Sequence, residues 1–180
     1  MLEVNIPELK RGGKIILKNI TFSSKSRVTC LKGRNGSGKT SLLLALAGLI
    51  HHNGKVKADP EIKNIGLYIE DEEFYGHITA KDFLKIISWF KGEVNDIFKI
   101  DYNGKIKNLS TGQRKKLYLT LTLSGRHDWL LLDEPFANLD EKSVIILREY
   151  LKNITNSIIL TTQTQDELCG EYVNVEEFAS

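Results

Sequence analysis

Short runs of apolar and β-branched residues recur along this chain, separated by longer stretches in which apolar residues follow a helical spacing. Such runs predict β-strands. The expected strands are 14–22, 27–31, 64–69, 129–132 and 157–162. Two of the runs, Trp-Leu-Leu-Leu and Ser-Ile-Ile-Leu, are almost continuously apolar. Strands without a polar face are typical of a parallel sheet that helices cover on both sides.

Helices are predicted between these strands from the spacing of their apolar residues. The expected helices are 39–47, 79–90, 112–123 and 141–151. Thr79 can cap the second helix, and Asp82 places a carboxylate in its first turn, where the helix dipole favours negative charge. Because strands and helices alternate along the chain, the pattern indicates an α/β fold.

Length and composition describe one ordinary globular domain rather than a disordered tail or a membrane span. The chain has 180 residues, of which 41% are hydrophobic and 27% charged. Chains of roughly 100 to 200 residues usually form a single domain. The longest apolar run, 42–50, is shorter than the roughly 18 residues that a membrane helix needs. We therefore expect a single domain over 1–180, and, with no secretory signal visible at the N-terminus, a cytoplasmic location.

The charged residues and the two cysteines give no sign of a nucleic-acid, metal or disulfide function. The net charge is only +2, so no overall field favours nucleic acid, and no nucleic-acid partner is expected. A basic cluster is interpreted as a solvated helix face beside a loop. Its members are Lys105, Lys107, Arg114, Lys115 and Lys116. Cys30 and Cys169 have neither a metal-ligand spacing nor a disulfide framework, and both are interpreted as small buried hydrophobes.

The strongest local signal is a glycine-rich segment between the strand ending near Leu31 and the helix starting near Lys39. It fits the pattern G-x-x-x-x-G-K-[ST], in which backbone N–H groups and a helix N-terminus cradle phosphate oxygens. In such a loop the lysine reaches the β- and γ-phosphates and the following hydroxyl binds magnesium. The residues predicted to bind ATP are Gly33, Arg34, Asn35, Gly36, Ser37, Gly38, Lys39, Thr40 and Ser41.

Two adjacent carboxylates, Asp133 and Glu134, end the apolar strand at 129–132. The carboxyl end of a parallel strand is where ligands of open α/β sheets bind. Asp133 is therefore predicted to hold Mg²⁺ together with Thr40. Glu134, the next residue, is predicted to act as the general base that polarises the attacking water.

A further segment narrows the class of nucleotidase. The sequence Leu109-Ser110-Thr111-Gly112-Gln113, placed 24 residues before Asp133, resembles the LSGGQ signature of ABC ATPases, with Thr111 in place of a glycine. The segment 138–140, Asn-Leu-Asp, is similar to the D-loop of that family. Motifs resembling the family occur in order from about residue 14 to about residue 168.

This resemblance implies a P-loop NTPase fold: a mostly parallel sheet flanked by helices, a small antiparallel β part, and a short helical insert at about 71–111 that leads to the signature. It also implies ATP and Mg²⁺ as cofactors and a second ABC ATPase subunit, identical or different, as partner. In the family each signature closes over the partner's ATP. The positions that would do so here are Ser110, Thr111, Gly112 and Gln113.

Three positions depart from the family pattern. Glu70 stands where the family usually has a glutamine, and its carboxylate can still bind magnesium. Gln163 stands where the family has the switch histidine. Its amide can donate a hydrogen bond but cannot take up a proton or carry a charge, so slow but nonzero hydrolysis is expected. The family often stacks an aromatic residue on adenine near 9–13. No aromatic residue occurs there in this chain, and Leu9 or Ile15 is expected to pack against the ring instead.

The resemblance favours a transporter subunit that works on a separate membrane permease at the cytoplasmic face of the membrane. Phe74, Tyr75 and Phe83 are candidate permease contacts, with packing inside the insert as the alternative. Two other functions stay open. One is a soluble ABC ATPase not coupled to transport, and the other is a nucleotide switch that barely hydrolyses ATP.

Overall fold

The computed structural model describes residues 1–69 and 75–180. The chain divides into two compact units, which are described separately below. The core unit consists of Met1–Ile69, Asp128–Glu134 and Asn156–Ser180. The helical unit consists of Glu70–His127 and Pro135–Thr155.

A five-stranded parallel sheet organises the core unit. Its strands are β3 (Val28–Lys32), β5 (Ile65–Tyr68), β6 (Trp129–Leu132), β7 (Ser157–Thr162) and β8 (Glu171–Asn174), in the spatial order β5-β6-β7-β3-β8. β3 and β7 pair in parallel, and so do β6 and β7. The carboxyl ends of β6, β7 and β3 therefore lie side by side, which brings the loops that follow them to one edge of the sheet.

A second, antiparallel sheet has the order β2-β1-β4 and is formed by β1 (Leu2–Arg11), β2 (Lys14–Ser24) and β4 (Lys55–Ala58). Sequence analysis predicted part of β2 but none of β1, β4 or β8. β1 alternates buried and exposed residues from Leu2 to Ile6, which is a period-2 signal, but Pro7 and the charged residues after it obscure the pattern. The α/β fold with a small antiparallel part is confirmed.

The core lies between the sheets and helix α1 (Lys39–Leu46), which follows the glycine-rich loop. Leu42 and Leu43 on α1 pack in one cluster with Leu31 of β3 and Ile159 of β7, and all four are fully buried. Burying a leucine or isoleucine contributes roughly 1.5–3 kcal/mol. This packing fixes the start of α1 at the sheet edge where β3 ends.

The helical unit contains α2 (Ala80–Lys91), α3 (Thr111–Leu123) and α4 (Glu141–Asn153), close to their predicted bounds. Thr79 caps α2 as predicted, because its side chain accepts a hydrogen bond from the backbone N–H of Asp82. Phe83 is 1% exposed and meets the ring of Tyr118 edge-on, so it packs inside the unit rather than offering a partner contact. Tyr75 is exposed beside Phe83, and Phe74 lies outside the described residues.

Two interpretations from the sequence are wrong. Cys30 and Cys169 are joined in a disulfide that links β3 to the segment before β8, a pairing 139 residues apart that spacing alone does not reveal. Lys115 is 3% exposed and Lys116 pairs with Asp140, so these two lysines are not part of a solvated face. Within 1–69 and 75–180, none of the helices combines the length and apolar character that crossing a bilayer requires.

Candidate functional site

The glycine-rich loop runs from the end of β3 to α1 with the backbone bent where glycines permit it. Gly36 and Gly38 have φ values of 80° and 96°, a left-handed region that side chains other than glycine rarely adopt. A Cβ on Gly38 would also lie 3.1 Å from the side chain of Leu17. The conformation of the loop therefore depends on glycine at both positions.

Lys39, the first residue of α1, is 5% exposed and folds back over the loop. Its ammonium group donates to the carbonyl oxygens of Gly33 at 2.9 Å and of Arg34 at 3.0 Å. It also lies 3.2 Å from Oε1 of Glu134, at the end of β6. A buried lysine needs such partners, since an unpaired ammonium in the interior is costly. The arrangement places a positive charge at the centre of the loop.

Phosphate fits this loop on two further observations. Ser37 Oγ is buried and has no hydrogen-bond partner among the described residues, which is an uncommon situation for a hydroxyl group. Helix α1 begins at the same loop with Gly38 in the N-cap position and no side-chain cap, and a helix N-terminus of this kind favours an anion. A phosphate oxygen would give partners to both.

Thr40 and Asp133 supply hard oxygen ligands of the kind that Mg²⁺ prefers. Thr40 Oγ1 donates to Asp133 Oδ2 at 2.8 Å, across a sequence separation of 93 residues. Asp133 is 5% exposed and its other oxygen accepts from Thr161 Oγ1 at 2.6 Å. The structure thus brings the two predicted metal ligands of the core unit together. The third, Glu70, lies outside the described residues.

Glu134 has a left-handed backbone, with φ of 42°, which is unusual for a residue with a side chain. Its N–H donates to Thr161 Oγ1 at 2.8 Å, and this bond helps to hold the turn. Its carboxylate accepts from Gln163 Nε2 at 2.9 Å and pairs with Lys39. The predicted base and the residue in the switch position are therefore in direct contact.

Thr161, on β7, belongs to the candidate site, and the sequence analysis did not identify it. It is 1% exposed, and its single hydroxyl both donates to Asp133 and accepts from Glu134. It thus fixes the carboxylate of Asp133 and the backbone of Glu134 at once. The signal in the sequence is weak: Thr161 is the first of two threonines that follow the apolar run Ile-Ile-Leu of β7 and precede Gln163.

The remaining residues predicted to bind ATP line the loop less closely. Arg34 and Asn35 are exposed, and Ser41 is 5% exposed on α1. The backbone N–H of Arg34 donates to Glu176 at 2.7 Å, which ties the loop to the C-terminal 3-10 helix Val175–Phe178. This N–H lowers the pKa of the Glu176 carboxyl below its ordinary value, and the Arg34 guanidinium adds to the effect.

The signature lies in the helical unit, at the start of α3. Ser110 caps the helix, because Ser110 Oγ accepts from Gln113 N while Gln113 Oε1 accepts from Ser110 N. This reciprocal capping box satisfies two backbone N–H groups. The exposed Thr111 and the half-buried Gly112 begin the helix itself, so a helix N-terminus is presented to solvent at the signature.

Two contacts join the signature helix to the segment before α4. A Cβ on Gly112 would lie 2.9 Å from the carbonyl oxygen of Asn138, a residue that itself has a φ of 58°. Lys116 pairs with Asp140, the N-cap residue of α4, at 2.6 Å. Hydrogen bonds from Lys116 and from Ser143 hold the pKa of the Asp140 carboxyl well below its usual range. The signature and the D-loop are therefore one structural group.

Together, the loop around a buried lysine, a hydroxyl–carboxylate pair and an adjacent glutamate define a P-loop nucleotide-binding site. A sequence profile described as ABC transporter matches residues 17–137. The chain belongs to the ABC transporter family and is an ATPase nucleotide-binding domain of the ABC type. The resemblance drawn from the signature is confirmed.

Individual relatives agree with this assignment. An uncharacterized ABC transporter ATP-binding protein of Methanocaldococcus jannaschii is 31% identical over 87% of this chain and 66% of its own length. The Fe(3+) ions import ATP-binding protein FbpC of Fusobacterium nucleatum is 28% identical over 89% of this chain and 50% of its own length. The chain thus spans half to about two thirds of these two relatives.

Solved structures show the same fold. The ATP-binding cassette MJ0796, in a dimeric post-hydrolysis state bound to ADP and phosphate, superposes with a TM-score of 0.72 at 20% identity. The match covers 98% of this chain and 95% of that one. At this level of identity the likeness describes the fold alone.

Proposed function

We propose that this chain binds and hydrolyses ATP with Mg²⁺ as the nucleotide-binding subunit of an ABC transporter. The observation that carries the proposal is the meeting of Lys39, Thr40, Asp133 and Glu134 at one edge of the parallel sheet. Lys39 and Thr40 begin α1, Asp133 and Glu134 follow β6, and the two segments are joined by the hydrogen bond from Thr40 to Asp133 and the ion pair of Lys39 with Glu134.

Lys39 would exchange partners when the triphosphate binds. Its ammonium group now bonds two loop carbonyls and Glu134. Phosphate oxygens carry more negative charge than carbonyls, so the lysine would turn to them and release the Glu134 carboxylate. Glu134 would then be free to accept a proton from water, while its strained backbone and the bond to Thr161 keep the carboxylate in place.

Mg²⁺, when bound by Thr40 and Asp133, would neutralise charge that develops on the transferring phosphoryl group. Thr161 serves this step by fixing one oxygen of Asp133, which leaves the other directed at Thr40. In place of a histidine, Gln163 would donate a hydrogen bond from its neutral amide. We expect hydrolysis to be slow but measurable, because the amide can orient a group but cannot stabilise charge as an imidazolium would.

The proposal extends to partners. The first partner is a second ABC ATPase subunit, identical or different. In the dimer, the helix N-terminus at Ser110 and Gly112 of this chain would lie against the γ-phosphate bound by that partner. A separate membrane permease would receive the resulting movement, which places the chain at the cytoplasmic face of the membrane. Support comes from relatives such as the Fusobacterium nucleatum protein, which is named an Fe(3+) ions import ATP-binding protein, and from the dimeric cassette structure.

The test is steady-state ATP hydrolysis with Mg²⁺ for the wild type and for Glu134→Gln, with oligomeric state followed by light scattering. Loss of turnover in the variant, with a dimer accumulating in ATP, is the expected result. Glu61→Gln is the matched control, because Glu61 is 70% exposed and pairs only with a nearby surface lysine in the described contacts. Equal turnover in all three proteins would overturn the proposal.

A nucleotide switch that scarcely hydrolyses ATP is the second candidate. The direct bond from the neutral Gln163 amide to Glu134 favours it, because that bond occupies the predicted base. ATP binding without turnover in the wild type would select this function. A soluble ABC ATPase not coupled to transport would instead show turnover and dimerisation but no association with membranes that contain a permease.

A further inference from the structure

The C-terminal segment of the chain lies against the start of the glycine-rich loop. β8 pairs with β3 in parallel, and Lys32 at the end of β3 is the register partner of Asn174 at the end of β8. Because parallel strands run in the same direction, the loop that follows β3 and the 3-10 helix Val175–Phe178 that follows β8 begin side by side. Val175 is fully buried in the core cluster, and the next residue, Glu176, reaches the loop.

Glu176 and Lys39 hold one peptide unit of the loop from its two sides. The backbone N–H of Arg34 donates to Glu176 Oε1 at 2.7 Å. The carbonyl oxygen of Gly33, which belongs to the same peptide, accepts from Lys39 Nζ at 2.9 Å. Because a peptide is planar, fixing its N–H also fixes the direction of its carbonyl. The Glu176 carboxylate thus acts on the position of the buried lysine through this peptide.

The turn that follows depends on the same anchor. The carbonyl oxygen of Arg34 accepts from Lys39 Nζ at 3.0 Å and from the backbone N–H of Ser37 at 3.2 Å. A Cβ on Gly33 would lie 2.5 Å from Ser37 Oγ and 3.4 Å from Glu176 Cγ, so both side chains lie against the backbone of Gly33. Glu176 therefore supports the part of the loop from which the lysine and the buried serine hydroxyl are arranged.

The bond to the loop backbone matters more than the ion pair beside it. The Arg34 guanidinium lies 3.3 Å from Glu176 Oε1, but the arginine side chain is 88% exposed, and exposed ion pairs contribute little. The backbone N–H of Arg34 is the largest cause of the lowered pKa of the Glu176 carboxyl, and the positive charge of Lys39 contributes as well. The carboxyl is therefore ionised at neutral pH, and an ionised acceptor makes the stronger hydrogen bond.

We propose that Glu176 is a positioning residue for nucleotide binding, which holds the Gly33–Arg34 peptide so that the loop and Lys39 are already arranged for the phosphates. This inference rests on the proposed function, since it concerns the same site. Preorganisation raises affinity because less has to be ordered at the moment of binding. Val175 and Phe178 supply the apolar packing of the 3-10 helix, so the fold should tolerate loss of the carboxylate.

The effect should appear on the phosphates of the nucleotide. Lys39 and the backbone of the loop are the groups that Glu176 arranges, and in this motif both bind phosphate oxygens. Leu9, which was expected to pack against the adenine ring, is 0% exposed in the core cluster, so that expectation is wrong. ATP and inorganic tripolyphosphate, which has no base, should therefore respond alike to a change at residue 176.

The experiment compares the wild type, Glu176→Ala and Glu176→Gln by calorimetric titration with ATP and, separately, with tripolyphosphate, both with Mg²⁺. Glu176→Ala should bind both ligands about tenfold more weakly. Glu176→Gln keeps an oxygen that can accept from the loop N–H, so it should lose less than about threefold. In steady-state hydrolysis, KM should rise with the dissociation constant while kcat changes less than about twofold, because the contact is the same in the ground and transition states.

Glu177→Ala is the matched control, because it removes the neighbouring exposed carboxylate, which accepts from Asn174 on the same short helix. Its affinity for both ligands should equal that of the wild type, and its melting temperature should match that of Glu176→Ala. If Glu176→Ala melts lower, Glu176→Gln decides between a positioning and a merely structural role, since binding as weak as in Glu176→Ala would overturn the proposal.

Three further results would overturn it. Unchanged affinity in Glu176→Ala would show that the loop is arranged without the carboxylate. Tighter binding in that variant would show that the carboxylate competes with phosphate for the loop. A loss confined to ATP would place the effect on the base. A wild type that binds neither ligand would refute the proposed function as well, whereas a wild type that binds ATP without turnover leaves the titrations decisive.

Discussion

Replacing Thr161 by valine should damage both stability and turnover, although the two side chains have nearly the same shape. The threonine hydroxyl donates to Asp133 at 2.6 Å and accepts from the N–H of Glu134 at 2.8 Å, in a site that is 1% exposed. Valine would leave a buried carboxylate oxygen and a buried N–H without this partner. Each such loss costs about 1–3 kcal/mol, with the charged group at the upper end.

We therefore expect Thr161→Val to lower the free energy of unfolding by about 3 kcal/mol. For a protein of this size that corresponds to a fall of about 6–12 °C in melting temperature. Steady-state ATP turnover should fall by at least about tenfold, because a misplacement of about 1 Å at the reacting groups can cost up to about a hundredfold. Calorimetry and an enzyme-coupled phosphate assay measure the two effects.

Thr29→Val is the matched control. Thr29 is also 1% exposed, but it lies on β3 and donates to the neutral hydroxyl of Ser24, which keeps a bond from the N–H of Ser26. Its loss should cost about 1 kcal/mol. If Thr161→Val and Thr29→Val had equal melting temperatures and equal turnover, the role assigned to the Thr161 hydroxyl would be refuted.

Four other changes have defined outcomes. Gln163→His should raise ATP turnover several-fold by restoring a group that can carry charge. Gly112→Ala should lower stability by about 1–3 kcal/mol in thermal melts, because its Cβ would lie 2.9 Å from a backbone oxygen. Asp140→Asn should make the free energy of unfolding less dependent on pH in acid. In the folded wild type the pKa of the Asp140 carboxyl lies below the ordinary 3.8, so the carboxylate stabilises the fold above about pH 5. That stabilisation is lost as the pH falls further. Reduction with dithiothreitol should lower the melting temperature of the wild type but not of Cys169→Ser, since the disulfide closes a loop of about 139 residues and is worth at most about 5 kcal/mol.

Each of these has a result that contradicts it. Unchanged turnover in Gln163→His would mean that the amide does not limit hydrolysis. Gly76→Ala is the control for Gly112, since its Cβ would meet only the Lys107 Cβ at 3.4 Å; equal loss in both would remove the steric explanation. If the stability of Asp140→Asn changed with pH in parallel with that of the wild type, the stabilising role of the Asp140 carboxylate would be excluded. If dithiothreitol left the melting temperature of the wild type unchanged, a stabilising disulfide would be excluded.

The sequence by itself determined the features that depend on neighbouring residues. The phosphate loop is a run of consecutive residues whose glycines, lysine and hydroxyl stand at obligatory spacings. The cap at Thr79 needs only the residue three positions on, and the apolar run at 129–132 identifies both a buried strand and the carboxylates that follow it. Local chemistry and local hydrogen bonding are sufficient in each case, which is why the α/β fold and most element bounds could be predicted.

The tertiary structure alone decided which distant residues meet. Thr161 bridges Asp133 and Glu134 because β6 and β7 pair in parallel with their ends aligned, a register that no local pattern specifies. The bond of Arg11 to Ser41 depends on the β1–β2 hairpin, which was not predicted because Pro7 and the charged residues after it obscure the alternating pattern of β1. Long-range pairing is chosen by the burial of whole strands rather than by any one residue, so contacts of this kind become visible only once the chain is folded.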